Sequence, residues 1–393
     1  MSYQHQKSNT MNFTQEQIKE ILDHVSKEKN GYTELLKLSL ESIMRSERNQ
    51  FNKVENDVSN GYRLSSVFAH QSKMELVIPR SRHHNFYPLI LSIIKDQEKE
   101  SQEMAFELYR SGLTTEQVGN LFEKFYGQHY SKSAISQMMN DARRDVFNWL
   151  ERQIDTMYPI LYIDATYWHT RRGDKVSKEA YYTVLAVKQD RTREVLSVIN
   201  HPTEGAGNWE EIFQSLKDRG VKQVELVVCD GLSGIEDAIG KVFPMATVQL
   251  CTVHLNRNIL SKISPADKAV VSAELKEVLY PDRHGDTTEQ GIIRFHYFVD
   301  KWIKKYPSLK IYKNLRYHLY FNYLAYDVGF RRLIYTTNWI ERLNRNYKRT
   351  LRMRSAMPSP QSVLFLLGST AMNQQQYLYP IHQFKNNHLL SFI

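Results

Sequence analysis

Cysteine is nearly absent: Cys229 and Cys251 are the only two in 393 residues. One disulfide cannot organise a chain of this length, so a reducing, cytosolic setting is the simpler expectation. Long apolar runs are missing as well. No stretch approaches the roughly 20 apolar residues of a membrane-spanning helix. The polar opening MSYQHQKSNTMN lacks the apolar centre of a secretory leader, so secretion is not expected. There is no Gly-x-Ser-x-Gly elbow to carry a nucleophilic serine. No second cysteine pair is available to complete a structural zinc site around Cys251 and His254. Neither an internal repeat nor a low-complexity tract occurs.

What remains is ordinary globular material with a basic bias. Apolar residues are 41% and charged residues 24%, which argues against wholesale disorder. Lys and Arg number 52 against 43 Asp and Glu, a net +9 with pI near 9.2, which mildly favours a polyanionic partner. At roughly 150 residues per domain the length predicts two to three domains.

The N-terminal part is patterned as helices. In FTQEQIKEIL, Thr14 and Gln17 have capping-box spacing and Phe13 and Ile18 that of a hydrophobic staple. A second helix is predicted over Tyr32–Arg48, a loop over Asn49–Ser66 and a short strand over Met74–Pro79. PRSRHHNFYP then sets Arg80, Arg82, His83 and His84 beside Phe86 and Tyr87, either a phosphate-holding, base-stacking cluster or a solvated loop. A helix over Leu89–Arg110 stops at Gly112. Thr114 and Gln117 repeat the capping box before a helix over Thr115–Phe125. After Gly127 another helix starts near Ser131, with Ile135, Met138, Ala142 and Val146 inward. This pair is an ordinary helical hairpin or a helix-turn-helix; in the latter case Lys132, Ser133, Ser136 and Gln137 face a DNA major groove.

Beyond Pro159 the pattern changes. Strands are predicted at 161–168, 179–190, 193–200, 224–230 and 246–250. A helix capped by Asn208 and one over Ser233–Val242 lie between them, describing a mixed α/β sheet. Residues 255–330 read mostly as helix, best over Ala266–Leu279 and Glu289–Tyr306, and form an insertion before final helices over Asn338–Leu351 and Pro360–Gln374. The polar tail follows Pro380.

Two carboxylates stand out. Asp164 sits inside the apolar strand LYIDATY, where an unpaired charge costs several kcal/mol. Asp230 follows the apolar VELVVC at the strand end where ligands of open α/β sheets collect. On adjacent strands the pair has the hard oxygen donors that suit Mg²⁺ or Mn²⁺. Glu341 is the only acid between Asp327 and the C-terminus, among Arg331, Arg332, Arg342, Arg345, Lys348, Arg349, Arg352 and Arg354. It either neutralises part of a basic helix, or completes a metal triad while its neighbours grip phosphates. Two cations about 4 Å apart activate an attacking oxygen and stabilise a leaving one.

Three blocks resemble the DDE transposases of bacterial insertion sequences, mutator class. They are YPILYIDATYWHTR, VVCDGLSGIEDAIGKVFPMATVQLCTVHLNRN, and YTTNWIERLNRNYKRT followed by MPSPQSVLFLL. The resemblance runs from about residue 60 to 370, and Ile78–Arg82 matches a further stretch. It implies a catalytic triad of Asp164, Asp230 and Glu341 holding two Mg²⁺, with Mn²⁺ as substitute. It also implies DNA contacts at Lys348, with weaker candidates at Arg345, Asn338 and Arg349, and a supporting role for Cys251 and His254. Trp339 departs from the family pattern, which usually has a small residue there. The implied fold has an N-terminal helical region (1–75), a helix-turn-helix region (76–150) and a ribonuclease-H-like mixed sheet (151–258). An all-α insertion (259–330), C-terminal catalytic helices (331–380) and a tail (381–393) complete it. The implied activity is binding of terminal inverted repeats, metal-dependent cleavage and strand transfer by a dimer or larger assembly in the bacterial cytoplasm. The alternatives are a nuclease without strand transfer and a catalytically silent repressor.

Overall fold

The computed structural model describes residues 31–69, 72–126, 130–201 and 206–381, with scattered positions between 14 and 23. The capping residue Gln17 and the staple residues Phe13 and Ile18 lie outside them, as does the tail beyond Ile381. The chain divides into two compact units. One holds residues 1–108 and 115–139, the other 109–114 and 140–393.

In the first unit, helix α1 (Gly31–Val54) packs on a hairpin of β1 (Ser59–Ala69) and β2 (Ser72–Ser81) and on the start of α2 (Leu89–Arg110). The core is Leu40 and Met44 of α1, Val67 of β1, Met74, Leu76 and Ile78 of β2, and Leu91 and Ile94 of α2. The two carboxylates of α1 that face inward have backbone work. Glu41 accepts from the Val77 N–H at 2.9 Å, and Glu47 accepts from Leu89 and Ile90, two of the orphan donors at the N-terminus of α2.

The loop predicted over Asn49–Ser66 is not a loop. Helix α1 continues to Val54 and β1 begins at Ser59, with a register shift between Ser59 and Tyr62 around Gly61, whose φ is +66°. A two-stranded hairpin buries only one face. β1 supplies little of that face beyond Val67, while Tyr62 and Leu64 are exposed. Its polar composition therefore hides a strand that forms because β2 brings the apolar side chains.

Helices α3 (Thr115–Tyr126) and α4 (Lys132–Met138) pack through Val118, Phe122, Tyr130 and Ile135. Ser131 caps α4 by accepting from the Ala134 N–H. A Cβ on Gly119 would stand 2.5 Å from the Tyr130 carbonyl oxygen, so only glycine lets α3 approach this closely. Sequence periodicity suggests one helix from Ser131 onward, but the chain turns at Met139 and resumes as α5 (Asn140–Leu150). The interruption shifts the inward position from Met138 to Met139, which is 1% exposed.

The second unit is built on a five-stranded sheet of order β5-β4-β3-β6-β7. Its strands are β3 (Met157–Arg172), β4 (Lys175–Val187), β5 (Arg193–His201), β6 (Gln223–Cys229) and β7 (Thr247–Leu250). β3, β4 and β5 run antiparallel; β6 and β7 run parallel to β3. β3 and β4 extend beyond the predicted strands as a polar hairpin turning at Gly173, which places His169 inside β3, paired with Lys178. Helix α6 (Ala206–Asp218) begins before Asn208, so Asn208 is not its cap. Trp209 of α6 packs edge-on against Tyr182. The adjacent residue Thr183 pairs with Asp164 and so belongs to the opposite face of the sheet. Helix α7 (Ile235–Val242) follows β6 and packs against α6.

The interval before the last helices holds helices joined by short turns, and only about half of it is α-helix. α8 (Thr252–Leu260), α9 (Lys268–Val278) and α10 (Thr288–Ile303) are followed by three 3₁₀ segments over Pro307–Lys313, Leu315–Tyr320 and Asn322–Ala325. Phe295, Phe298, Val299, Leu309, Tyr312, Phe321 and Tyr323 are buried in this region. α11 (Val328–Ile334) leads to α12 (Asn338–Leu351) and α13 (Pro360–Met372). α12 and α13 pack on β3, and α5 packs on α13.

Candidate active site

Ile163 of β3 pairs with Cys229 of β6 in parallel register. The next residues along the two chains, Asp164 and Asp230, therefore lie side by side where β6 ends. Glu341 occupies the first turn of α12, the helix packed on β3. All three acids are partly exposed.

Asp164 Oδ1 accepts from the Ala165 N–H at 2.9 Å, and its Oδ2 accepts from Asn344 Nδ2 at 2.8 Å. Burial pushes its pKa up, and the charges of Asp230 and Glu341 push the same way. His254 and the Ala165 N–H oppose them, and the result is about 6. Asp230 Oδ1 accepts from the Gly231 N–H at 2.7 Å and lies 3.7 Å from His254 Nδ1. Burial disfavours the His254 imidazolium, but the Cys251 sulfur and the carboxylates of Asp230 and Asp164 outweigh it and raise its pKa to about 9. Glu341 Oε1 is 3.6 Å from Arg257 Nη2 of α8.

Cys251 and Thr252 tie this corner together. Cys251 donates its N–H to the Cys229 carbonyl, and its Sγ accepts from the Thr337 N–H and hydroxyl at 3.4 and 3.3 Å. Thr252 donates from both N–H and Oγ1 to the Tyr335 carbonyl. The strand bearing Asp230 and the turn that starts the Glu341 helix are thus bonded to one dipeptide. That is a positional account of Cys-x-x-His: the cysteine joins two acid-bearing elements, and the histidine faces the second acid.

Among the described residues no three His, Cys, Asp or Glu side chains stand close enough together to hold one ion. The chemistry of the acids still fits a divalent cation. Their donors are hard oxygens, and burial, to which the charges of Asp230 and Glu341 add, holds Asp164 above the ordinary carboxylate range.

Two positioning residues escaped the sequence reading. Asn344 is three residues after Glu341 on the same helical face, a spacing that points to it in hindsight. Arg316 has no such signal. From the second 3₁₀ segment its Nη2 donates to the carbonyls of Gly231 and Leu232 at 2.7 and 3.0 Å, and its Nε donates to Glu236 at 2.7 Å. The Tyr320 hydroxyl packs where a Cβ on Gly231 would fall, 2.7 Å away. The helical insertion therefore clamps the loop that carries Asp230. Arg316→Gln is expected to release that loop, so that its amides exchange with solvent about ten- to a hundred-fold faster while the fold is kept. Hydrogen exchange beside the melting temperature checks this; unchanged exchange in the loop would remove the clamp.

The basic residues around Glu341 sort into two groups. Arg342, Arg345, Lys348, Arg349 and Arg352 are exposed, as is the neutral Asn338. Arg331, Arg332 and Arg354 are not available to grip phosphates, contrary to the expectation. Arg331 and Arg354 are buried against backbone carbonyls, and Arg332 is paired with Asp282. Trp339 lies under the Arg193 guanidinium at 4.6 Å, so the large ring is accommodated by a cation–π contact. In the first unit Lys132, Ser133 and Gln137 are exposed, Ser136 is half-buried, and Lys132 pairs with Glu116 at 2.8 Å. Arg80 and Arg82 are exposed beside a turn held by Asp57, which accepts from the His83 and His84 N–H groups. Burial opposes the Asp57 charge, but the N–H groups of Val58, His84 and His83 outweigh it and hold the carboxyl well below the ordinary range.

Residues 1–379 match the family described as Transposase, Mutator family. The chain belongs to that family. A probable transposase for an ISRM3-like insertion sequence element of Sinorhizobium fredii is 32% identical over 346 residues, covering 86% of each chain. The transposase for insertion sequence element IS905 of Lactococcus lactis is 31% identical over 291 residues, covering 74% of this chain and 73% of the relative. A solved Drosophila P element transposase strand transfer complex covers 76% of this chain at a TM-score of 0.32 and 10% identity, too distant to argue from. The protein is a transposase of the insertion-sequence type. None of its described helices is long and apolar enough to cross a membrane.

Proposed function

We propose that this transposase is a DDE enzyme, with Asp164, Asp230 and Glu341 as its acids on a ribonuclease-H-like sheet. The single observation that carries the proposal is geometric: the parallel register of β3 and β6 sets Asp164 beside Asp230, and Asn344, on the helix that bears Glu341, donates to Asp164 at 2.8 Å. The strand order, with a parallel pair added to an antiparallel meander, supports the sheet type. Thr115–Leu150 is proposed as the helix-turn-helix region that binds terminal inverted repeats, with Lys132, Ser133, Ser136 and Gln137 toward the bases and Arg80 and Arg82 on phosphates. Bringing two ends together calls for a dimer or larger assembly.

In the first step a water oxygen attacks a phosphodiester phosphorus at each end. The bond to the 3′ oxygen breaks, and that oxygen takes up the proton the water gives up, leaving a free 3′-hydroxyl and a 5′-phosphate. In the second step this hydroxyl attacks a phosphodiester of the target, a new P–O bond replaces the target's own, and the displaced 3′ oxygen takes a proton. Both steps are in-line displacements by oxygen, so one set of acids serves both. Asp164, Asp230 and Glu341 would hold Mg²⁺ or Mn²⁺, which when bound supplies Lewis-acid stabilisation to the reacting oxygens. Asn344 holds the Oδ2 of Asp164 in a fixed direction. Arg345, Lys348, Arg349 and Asn338 face solvent on the helix of Glu341 and are proposed to hold flanking phosphates.

The test is a strand-transfer assay with the DNA bordering the gene, in Mg²⁺ or Mn²⁺ and in EDTA. Metal-dependent joined product is expected. Cleavage without joining would favour a nuclease, and binding without either product a repressor. Affinity is expected to fall with salt at a log–log slope steeper than about −3, given roughly 0.9 per phosphate for four exposed basic side chains on α12. A flat response would remove α12 from the DNA footprint.

A further inference from the structure

Helix α8 leaves the dipeptide Cys251–Thr252 with two basic side chains one turn apart. His254 Nδ1 lies 3.7 Å from Asp230 Oδ1, and Arg257 Nη2 lies 3.6 Å from Glu341 Oε1. Residues three apart share a helix face. Thr252, Leu255 and Ile259 are buried on the other face and fix the rotation of the helix. One basic group therefore stands beside the aspartate pair and one beside the glutamate. Among the described residues Arg257 is the one arginine within ion-pair distance of any of the three acids.

The bland explanation is a stabilising surface ion pair. The geometry serves that purpose poorly. At 3.6 Å the contact is longer than a hydrogen bond, and the Arg257 side chain is 62% exposed. Such pairs contribute about 0–1 kcal/mol. Arg316, the other arginine of this corner, spends its donors on Gly231, Leu232 and Glu236 and is structural. Glu341 instead draws the Arg257 guanidinium close without engaging its donors, which stay available to an acceptor brought to the acids.

We propose that Arg257 is a further catalytic residue, whose guanidinium holds a non-bridging oxygen of the phosphodiester under attack. In phosphoryl transfer, negative charge spreads over the equatorial oxygens while the attacking and leaving oxygens stand in line. A guanidinium fork matches such oxygens, stays protonated and moves no proton. A phosphodiester reacting at the three acids comes within the swing of a side chain already 3.6 Å from one of them. Once Glu341 is engaged with an ion, its pull on Arg257 weakens and the phosphate takes its place. Arg257 acts alike in cleavage and in joining, because both pass through the same distribution of charge. This assignment rests on the three-acid reading above.

The test uses the full chain and the DNA bordering the gene. Arg257→Gln is expected to slow single-turnover cleavage in Mg²⁺ by about a hundred- to a thousand-fold, the loss typical of one charge-stabilising donor, with end affinity within about two-fold. Arg257→Lys keeps the charge without the fork and is expected to recover part of the rate; it is also the variant to use if the glutamine change fails to fold. One phosphorothioate diastereomer at the scissile position is expected to slow the wild type about ten-fold but Arg257→Gln less than about two-fold, a coupling that a merely structural role would not produce. Without DNA, Arg257→Gln is expected to bind Mn²⁺ a few-fold more tightly, because a cation beside Glu341 no longer competes with the ion. Cleavage within about three-fold of wild type, equal phosphorothioate effects or unchanged Mn²⁺ affinity would each overturn the assignment. Asp164→Asn run alongside separates the two readings. Cleavage retained there overturns the three-acid reading and the role of Arg257 with it; cleavage lost there but kept in Arg257→Gln overturns Arg257 alone.

Discussion

Asp164→Asn is expected to abolish cleavage and joining while DNA-end affinity stays within about two-fold. The substitution keeps size and shape, so the site has no reason to collapse. Asn344 Nδ2 still finds an oxygen to donate to at residue 164. What disappears is a negative charge that repels two others. An ion-holding carboxylate contributes several kcal/mol to the transition state, so the loss is at least about a thousand-fold at tenfold per 1.36 kcal/mol. Single-turnover cleavage beside a binding titration reads both quantities. Retained cleavage would remove Asp164 from the reacting groups.

The same variant carries a stability signature. The Asp164 carboxyl titrates near 6 in the folded protein, above its ordinary 3.8. The folded state therefore binds that proton more tightly than the unfolded state. Wild-type stability is expected to fall as pH rises from about 4 to about 6 and then level, from this group alone. Asp164→Asn lacks the term, so in EDTA the variant is expected to melt higher than wild type above pH 6 and to converge with it near pH 4. A variant no more stable at pH 7 would contradict the burial and repulsion assigned to Asp164.

Arg331→Met is expected to cost roughly 3–5 kcal/mol of stability, the range for breaking a buried charged network. Arg331 is 6% exposed and has no carboxylate partner among the described residues. Its guanidinium donates instead to five carbonyls, those of Tyr326, Pro281, Arg283, Asp286 and Leu324, at 2.7–3.4 Å. One side chain thereby holds the 281–286 turn and the last 3₁₀ segment against α11. Methionine fills most of the volume but leaves those acceptors without donors, at about 1 kcal/mol or more each. Urea unfolding followed by circular dichroism measures the loss. A cost below about 1 kcal/mol would mean that water replaces the guanidinium.

Much of the candidate site is legible in sequence because its parts obey local rules. An aspartate inside LYIDATY, another after VELVVC and a lone glutamate in a basic helix are anomalies against their immediate neighbours. The bounds of α12, Asn338–Leu351, follow from its own amphipathic pattern. The insertion was visible as helix, although its 3₁₀ half, where Arg316 resides, has no periodic signal. β1 has no strand signal of its own, because strand formation there depends on the apolar face of β2. The helix predicted from Ser131 was too long because one turn at Met139 re-phases it.

The arginines of residues 331–354 mark where sequence stops being sufficient. Composition places a basic cluster around the third acid, and the residue types and spacing determine that the chain brings carboxylates and cations to one region. Which of these cations face solvent, which pair with an acid and which vanish into carbonyl cages depends on contacts between segments tens to hundreds of residues apart. Arg354 donates to Tyr109, Arg316 to Gly231, and Asn344 to Asp164 across 180 positions. Local sequence sets propensity and charge. Only the folded chain decides desolvation and partners, because both are sums over neighbours that the sequence does not place side by side.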